Sequence, residues 1–440
     1  MQRPRSRRRR ALVALALAVS LIAASCADDD DGGDSGSGSG SGSSEELEGT
    51  TVTMFGPEVE QEAQGLKDSF KKFEEETGIT IKYSGDRSFE QQIGVRVDGG
   101  NPPDIAFFPQ PGKIKDFQDD LKPLPDDVAG TVKDTFNKGF VDLLTIDDQV
   151  YGVPAKADLK SLVWYSPDEF EKQGYEVPES LEDLEALADK MIADGKTPFC
   201  IGLGSDAATG WPFTDWVEDY MLRLKGPEVY DKWVNHDIAF NSPDVTEVVD
   251  HVYDMWSKEG MVYGGVKSVA STPFADAGLP LLQGKCEMHR QGNFYAANWP
   301  EGTKLGPDGK VNAFYLPTSD EQDFGRVTLT GGITAAAFAD RPEVQKTLEF
   351  LASTDYSDAR APVAGFLSPN PDTDTSKYPD EITRIFADIL ADADPVRFDA
   401  SDLMPGEVGA GTFWKAAVDI TTGNQPVDAA LDSVENSWPS

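Results

Sequence analysis

Apolar residues along the chain recur first on a strand period, then on a helical one, then on a strand period again. Thr50–Phe55 reads as a strand. Leu66, Phe70 and Phe73 fall at i, i+4 and i+7 and predict one amphipathic helix over Glu60–Thr77, stopped by Gly78. Ile79, Ile81 and Tyr83 alternate with polar residues, the pattern of a half-buried strand. Asp104–Phe108, after Pro103, is a short apolar run like a buried strand. Strands joined through a helix pair in parallel, so this first part is expected to be α/β.

Helical periods dominate the middle. Ser180-Leu181-Glu182-Asp183 resembles a capping box, and Leu184, Leu187, Ala188 and Met191 continue its apolar face. Ser242-Pro243 opens another helix, with Val245, Val248, Val252, Met255 and Trp256 as the inner stripe. Strand character returns at Glu287–Tyr295 and Val311–Leu316, and Leu329–Phe338 is small, apolar and glycine-bearing. Helices are predicted over Asp340–Ser353, near Gly411–Thr422 and over Val427–Trp438. The segment Gly210–Phe213 reads as a loop with a large ring.

The start of the chain belongs to a different regime. Six arginines within residues 3–10 precede the apolar run Ala11–Ala24. A basic start, a short apolar core and small residues after it make a secretory signal. That run is too short for a membrane-spanning helix, which needs about 20 residues. Leu21-Ile22-Ala23-Ala24-Ser25-Cys26 resembles a bacterial lipobox, which implies that Cys26 carries lipid. The acidic and Gly/Ser-rich stretch after Cys26 offers no apolar side chains to offset the entropy of ordering. It reads as a flexible tether. The expected location is therefore extracytoplasmic, on the outer face of the bacterial membrane, held by the N-terminal lipid alone.

Length and charge narrow the body. More than 400 residues follow the signal, which favours two lobes. The net charge is −38, and it becomes −44 without the six leading arginines. Nucleic-acid binding needs a basic footprint and is excluded. Beyond Cys26 stand Cys200 and Cys286, which in an exported protein form one disulfide or remain two buried thiols. The three histidines form no zinc pattern, there is no nucleophile elbow, and no acidic run has EF-hand spacing. No metal or other cofactor is expected. Rings beside amides and carboxylates do recur, at Phe107–Gln110, Gly210–Phe213, Gln291–Tyr295 and Thr412–Trp414. Sugars suit such pairings, because their C–H faces stack on rings while their hydroxyls need fixed polar partners.

Phe70–Ile79, Pro103-Asp104-Ile105-Ala106, Tyr151-Gly152-Val153-Pro154, Gln283-Gly284-Lys285, Phe314–Pro317, Gly331-Gly332 and Thr412–Leu431 follow one another in a familiar order. In that order they resemble the extracellular solute-binding proteins of ABC sugar importers, the group that includes maltose-binding protein. Trp211–Asn235 and His289-Arg290-Gln291 resemble its alpha-glucoside branch, in which a cysteine pair is expected at Cys200 and Cys286. The resemblance implies an α/β, two-lobe fold of the type II periplasmic-binding-protein kind, with a ligand cleft between lobes joined by hinge crossovers. The expected segments are 1–25 signal, 26–48 tether, 49–157 and 313–378 first lobe, 158–312 and 379–440 second lobe.

The resemblance also implies a ligand set. From the first lobe come Glu58, Asp86, Arg87, a stacking ring at Phe108, Gln110 and Lys156, with Asp158 just past the first crossover strand. Pro111 departs from the pattern there, standing where maltose-binding proteins place an acid. From the second lobe come Trp211, Asp215, Arg290, Gln291 and Phe294, while Gly332 lets backbone approach the sugar. Trp414 matches a stacking tryptophan in the closing helix. The implied protein is a monomeric, non-enzymatic receptor. It hands a carbohydrate such as trehalose, maltose or sucrose to ABC permease subunits. The rival readings are a receptor feeding a sensor kinase, a receptor for a non-sugar solute such as a polyamine, and a carbohydrate hydrolase.

Overall fold

Eleven strands are formed in the computed structural model, which describes residues 47–439. The signal segment, Cys26 and the tether up to residue 46 lie outside the described residues. The strands are β1 (Thr51–Gly56), β2 (Thr80–Gly85), β3 (Ile105–Phe108), β4 (Thr145–Ile146), β5 (Gln149–Val150), β6 (Gly152–Leu159), β7 (Leu162–Tyr165), β8 (Met288–Arg290), β9 (Asn312–Tyr315), β10 (Thr328–Ala337) and β11 (Val396–Phe398).

β1 pairs in parallel with β2 and β3, as the strand–helix–strand pattern requires. The connecting helix is broken in two, Glu60–Ser69 and Lys71–Thr77, with Phe70 at the join. Gly78 ends the second piece in the left-handed conformation at φ 71°, with its N–H bonded to Glu74 O. The sheet runs β11-β10-β3-β1-β2, and β6 pairs with the other side of β10. A second sheet, β8-β7-β9, is antiparallel.

Two large apolar cores follow these sheets. Val52, Phe70, Ile105, Phe108, Val153 and Ala335 belong to one, and Trp216, Tyr220, Val248, Trp256, Phe413 and Leu431 to the other. They define the two α/β lobes. A smaller cluster around Trp164, Tyr295, Trp299 and Phe386 contains Cys200 and Cys286, which are joined as a disulfide with Cα atoms 5.6 Å apart. Lys160 and Ser161 form the short crossing from β6 to β7, and the chain returns between β9 and β10. Residues 313–315, expected in the first lobe, pair with β7 in the second sheet.

Three local expectations need correction. The strand expected over Glu287–Tyr295 is only Met288–Arg290, and Asn293–Asn298 then coils into a 3-10 turn. Leu159 N–H bonds to Asn293 Oδ1 and Asn293 Nδ2 to Gly365 O, so this amide serves a turn rather than a ladder. Gly210–Phe213 is no loop, because Trp211 is the first residue of the helix Trp211–Leu224, with Pro212 in its first turn. The helix expected near Gly411–Thr422 begins as a π-helical turn over Val408–Phe413 and becomes regular at Trp414.

Candidate functional site

Strand period places the first site residues. On β6, Lys156 and Asp158 are two apart and share a face, and Lys160 extends the same row into the crossover. Gly332 on the neighbouring β10 keeps this row close, since a Cβ there would lie 2.4 Å from Lys156 O. The close approach is thus to Lys156 backbone. Gly210 plays a similar part in the second lobe. Its φ is 126°, and a Cβ would lie 2.3 Å from Trp414 O, so glycine lets Trp211 start its helix against Trp414.

A cavity of about 150 Å³ opens between the two cores. Ten of the residues expected in the site line it: Glu58, Arg87, Gln110, Lys156 and Asp158 on the first-lobe side, then Trp211, Asp215, Phe294 and Trp414, with Gly332 on β10. Four others do not. Phe108 is fully buried and packs on Phe89 and Phe117 at 5.4 and 5.9 Å, so it is a core ring of the first lobe. Arg290 lies behind the wall, bonded to Asp219 and 3.4 Å from Asp215. Gln291 is buried, with its backbone oxygen accepting from Trp164 Nε1 and its side chain from Gly292 N. Asp86 turns back on its own loop and accepts from Ser88 N.

The wall also holds residues that the sequence reading did not single out. Glu62 and Glu90 come from the starts of two first-lobe helices. Ser205, Phe274, Asp399, Ser401 and Asp402 come from the second lobe side, and Lys160 from the crossover. The strand period carried on from Lys156 and Asp158 would have found Lys160. For Asp399–Asp402, some 240 residues further on, no local signal exists.

Charge is organised around two lysines. Lys156 Nζ lies 3.5 Å from Glu58, 3.3 Å from Glu62 and 3.4 Å from Asp158. Arg360 holds Glu58 from behind at 2.6 Å. Burial works against the Lys156 charge, but Asp158, Glu62 and Glu58 outweigh it and hold its pKa above the ordinary lysine range. Lys160 bonds to Asp399 and lies 3.1 Å from Asp215 and 3.8 Å from Asp402. Here acid is in surplus. Burial, with Asp399 next to it, pushes the Asp215 carboxyl up to about 7, and burial raises Asp402 well above its usual range. Burial also opposes the charge on Asp399, yet Lys160 beside it wins and keeps that carboxyl ionised to low pH.

Four rings border these charges. Trp211 meets Phe274 edge-on at 5.1 Å and Phe294 at 5.9 Å, and Trp414 lies alongside in the wall. Arg87 reaches across from the first lobe to lie 4.8 Å above Phe274. Among the described residues, the cavity-lining atoms Gln110 Oε1, Asp158 Oδ1, Asp215 Oδ2 and Trp414 Nε1 are buried without a hydrogen-bond partner. Such atoms are costly unless something bonds to them. Asp215, Glu218 and Asp399 also bring oxygens within 4.8 Å of one another, as a cation site would. Lys160 already stands beside two of them, and Glu218 accepts from the backbone of Ala400 and Ser401 at 2.9 and 3.1 Å. These carboxylates are therefore engaged by protein donors.

The chain resembles known proteins over most of its length. It is 41% identical over 393 residues, 88% of this chain and 92% of the relative, to the osmoprotective compounds-binding protein GgtB of Synechocystis sp.. It is 39% identical over 407 residues, 90% of this chain and 88% of the relative, to the alpha-glucosides-binding periplasmic protein AglE of Rhizobium meliloti. Among solved structures, maltose-bound MalE3 of T. maritima shares the fold with a TM-score of 0.67 at 19% identity, covering 88% of this chain and 98% of that one. Residues 56–357 match the family described as bacterial extracellular solute-binding protein. Two lobes around a polar, ring-lined cavity and a match across that span have one meaning: the chain belongs to the bacterial extracellular solute-binding protein family.

Proposed function

We propose that the chain captures a saccharide between its lobes, an alpha-linked glucoside such as trehalose, maltose or sucrose, and delivers it to the membrane subunits of an ABC importer. One observation carries the reading: four buried polar atoms without partners lie in the same wall as Trp211, Phe274, Phe294 and Trp414. Rings present flat faces to sugar C–H groups, and the polar atoms offer partners to hydroxyls. The relative named for alpha-glucosides supports the same class of ligand.

Both lobes contribute to the wall, so a ligand touching both favours the closed arrangement over any open one. That closed shape is what a permease would recognise, and no bond in the ligand needs to break. The protein acts as a monomer outside the cytoplasm, tethered through lipid on Cys26. Its ligand contacts are Glu58, Arg87, Gln110, Lys156, Asp158, Trp211, Asp215, Phe294 and Trp414.

A thermal-shift screen of mono- and disaccharides tests the reading. Ligand at one hundred times Kd stabilises the native state by about 2.7 kcal/mol. A clear upward shift with at least one alpha-glucoside is expected, and no shift across the whole set would sink the reading.

A further inference from the structure

The lysines around the cavity are already held by carboxylates, and this bears on which saccharides can enter. Three cationic side chains line the wall. Lys156 faces three carboxylates and Lys160 faces three more, while Arg87 lies over Phe274 and 3.7 Å from Glu60. An arriving anion would have to take a cation from a carboxylate that already holds it. The unpartnered atoms tell the same story. Three of them are acceptors: Gln110 Oε1, and Asp158 Oδ1 and Asp215 Oδ2, which lie 3.4 Å from Lys156 and Arg290 without a hydrogen bond to either; only Trp414 Nε1 is a donor. A ligand that satisfies them brings hydroxyl hydrogens. A carboxylate or phosphate brings acceptors.

We infer that the cavity admits uncharged glucosides and rejects the same sugars once they carry a carboxylate or phosphate, because Asp158, Asp215 and Gln110 present acceptors while Lys156 and Lys160 are already held by carboxylates. This rests on the saccharide reading above and narrows its substrate class. Burial sharpens the selection, since a charge brought into such a wall loses its water. The wall itself shows the effect. Burial raises the carboxyls of Glu62 and Glu90, and most strongly that of Asp402. A further negative charge is therefore disfavoured there.

The test is a calorimetric comparison of near-isosteric pairs on the purified protein. Methyl α-glucoside, maltose and trehalose are each titrated beside the same sugar oxidised at C6 to the uronate. The neutral member of at least one pair should bind, and its uronate should bind about 100-fold more weakly or worse, equivalent to about 2.8 kcal/mol at about 1.4 kcal/mol per decade. Uronate affinity within about threefold of the neutral partner overturns the inference and leaves the saccharide reading standing. Failure of every neutral sugar overturns both. Charge is separated from shape with Asp158→Asn and Asp399→Asn, each of which frees a lysine from one carboxylate, and each is checked for a native melting transition. Either folded variant should narrow the gap between neutral sugar and uronate. An undiminished gap in both would assign the rejection to shape and overturn the charge account.

Discussion

The two lysine clusters start from the same strand row and end differently. Lys156 and Lys160 are four residues apart, and each faces three carboxylates across the cavity wall. Behind the first stands Arg360, bonded to Glu58, so the acids there share two cations. Behind the second stands Glu218, with its own carboxyl raised, first by burial and then by Asp399. Arg290 serves that region too, but Asp219 binds it directly and Asp215 only at 3.4 Å. The first cluster sets two cations against three acids, while the second has Lys160 for three acids with Glu218 behind them, so its surplus of acid is larger. The lesson is that a buried lysine–carboxylate group is defined by what lies behind it, because in a dry wall every unmatched charge must be neutralised by a proton.

The largest expected effect breaks the second cluster. Lys160→Met leaves Asp215, Asp399 and Asp402 without their cation and should cost about 3–5 kcal/mol of stability in urea unfolding. Lys156→Met should cost less, because Arg360 still holds Glu58. Equal losses would remove the distinction between the clusters. Next comes the ring wall. Trp211→Ala should weaken saccharide binding by at least about 30-fold, the effect of losing a hot spot of about 2 kcal/mol, with the melting curve still cooperative. Unchanged affinity by calorimetry would take Trp211 out of the contact set.

A smaller effect concerns pH. The folded carboxyl of Asp215 sits at about 7, above its unfolded value, so its contribution to stability is fully present below pH about 4 and is lost as pH rises toward 7. Asp215→Asn should therefore flatten the change in melting temperature between pH 4 and 7.5. A slope equal to that of wild type would contradict the surplus-acid account. The smallest effect is expected at Gln110, whose Nε2 bonds to Glu90 at 3.0 Å while Oε1 faces the cavity. Gln110→Leu should lower affinity only a few-fold, in keeping with one neutral hydrogen bond of about 0.5–1.5 kcal/mol.

Local pattern carried the fold well and the site unevenly. Alternation at Ile79, Ile81 and Tyr83 and the run Asp104–Phe108 name real strands, because a parallel sheet covered by helices writes its burial into short local periods. Lys156 and Asp158 came from the family resemblance, and the strand period puts them on one face of β6. Phe108 misled because a ring at a strand end looks alike in sequence whether it faces a cleft or a core, and here it packs on Phe89 and Phe117. Arg290 and Gln291 lie behind the cavity wall, a depth that no spacing encodes. Asp399 and Asp402 were invisible, since a four-residue helix at Ala400–Leu403 has too little period to read and reaches Lys160 only through tertiary packing.

The most direct measurement is a calorimetric titration of the best saccharide from the screen into wild type, Trp211→Ala and Asp158→Asn, in parallel. The account predicts a single site on wild type and clearly weaker binding in both variants, because one wall residue from each lobe has been removed. Saccharide binding that is equally tight in all three would place the sugar elsewhere and contradict it.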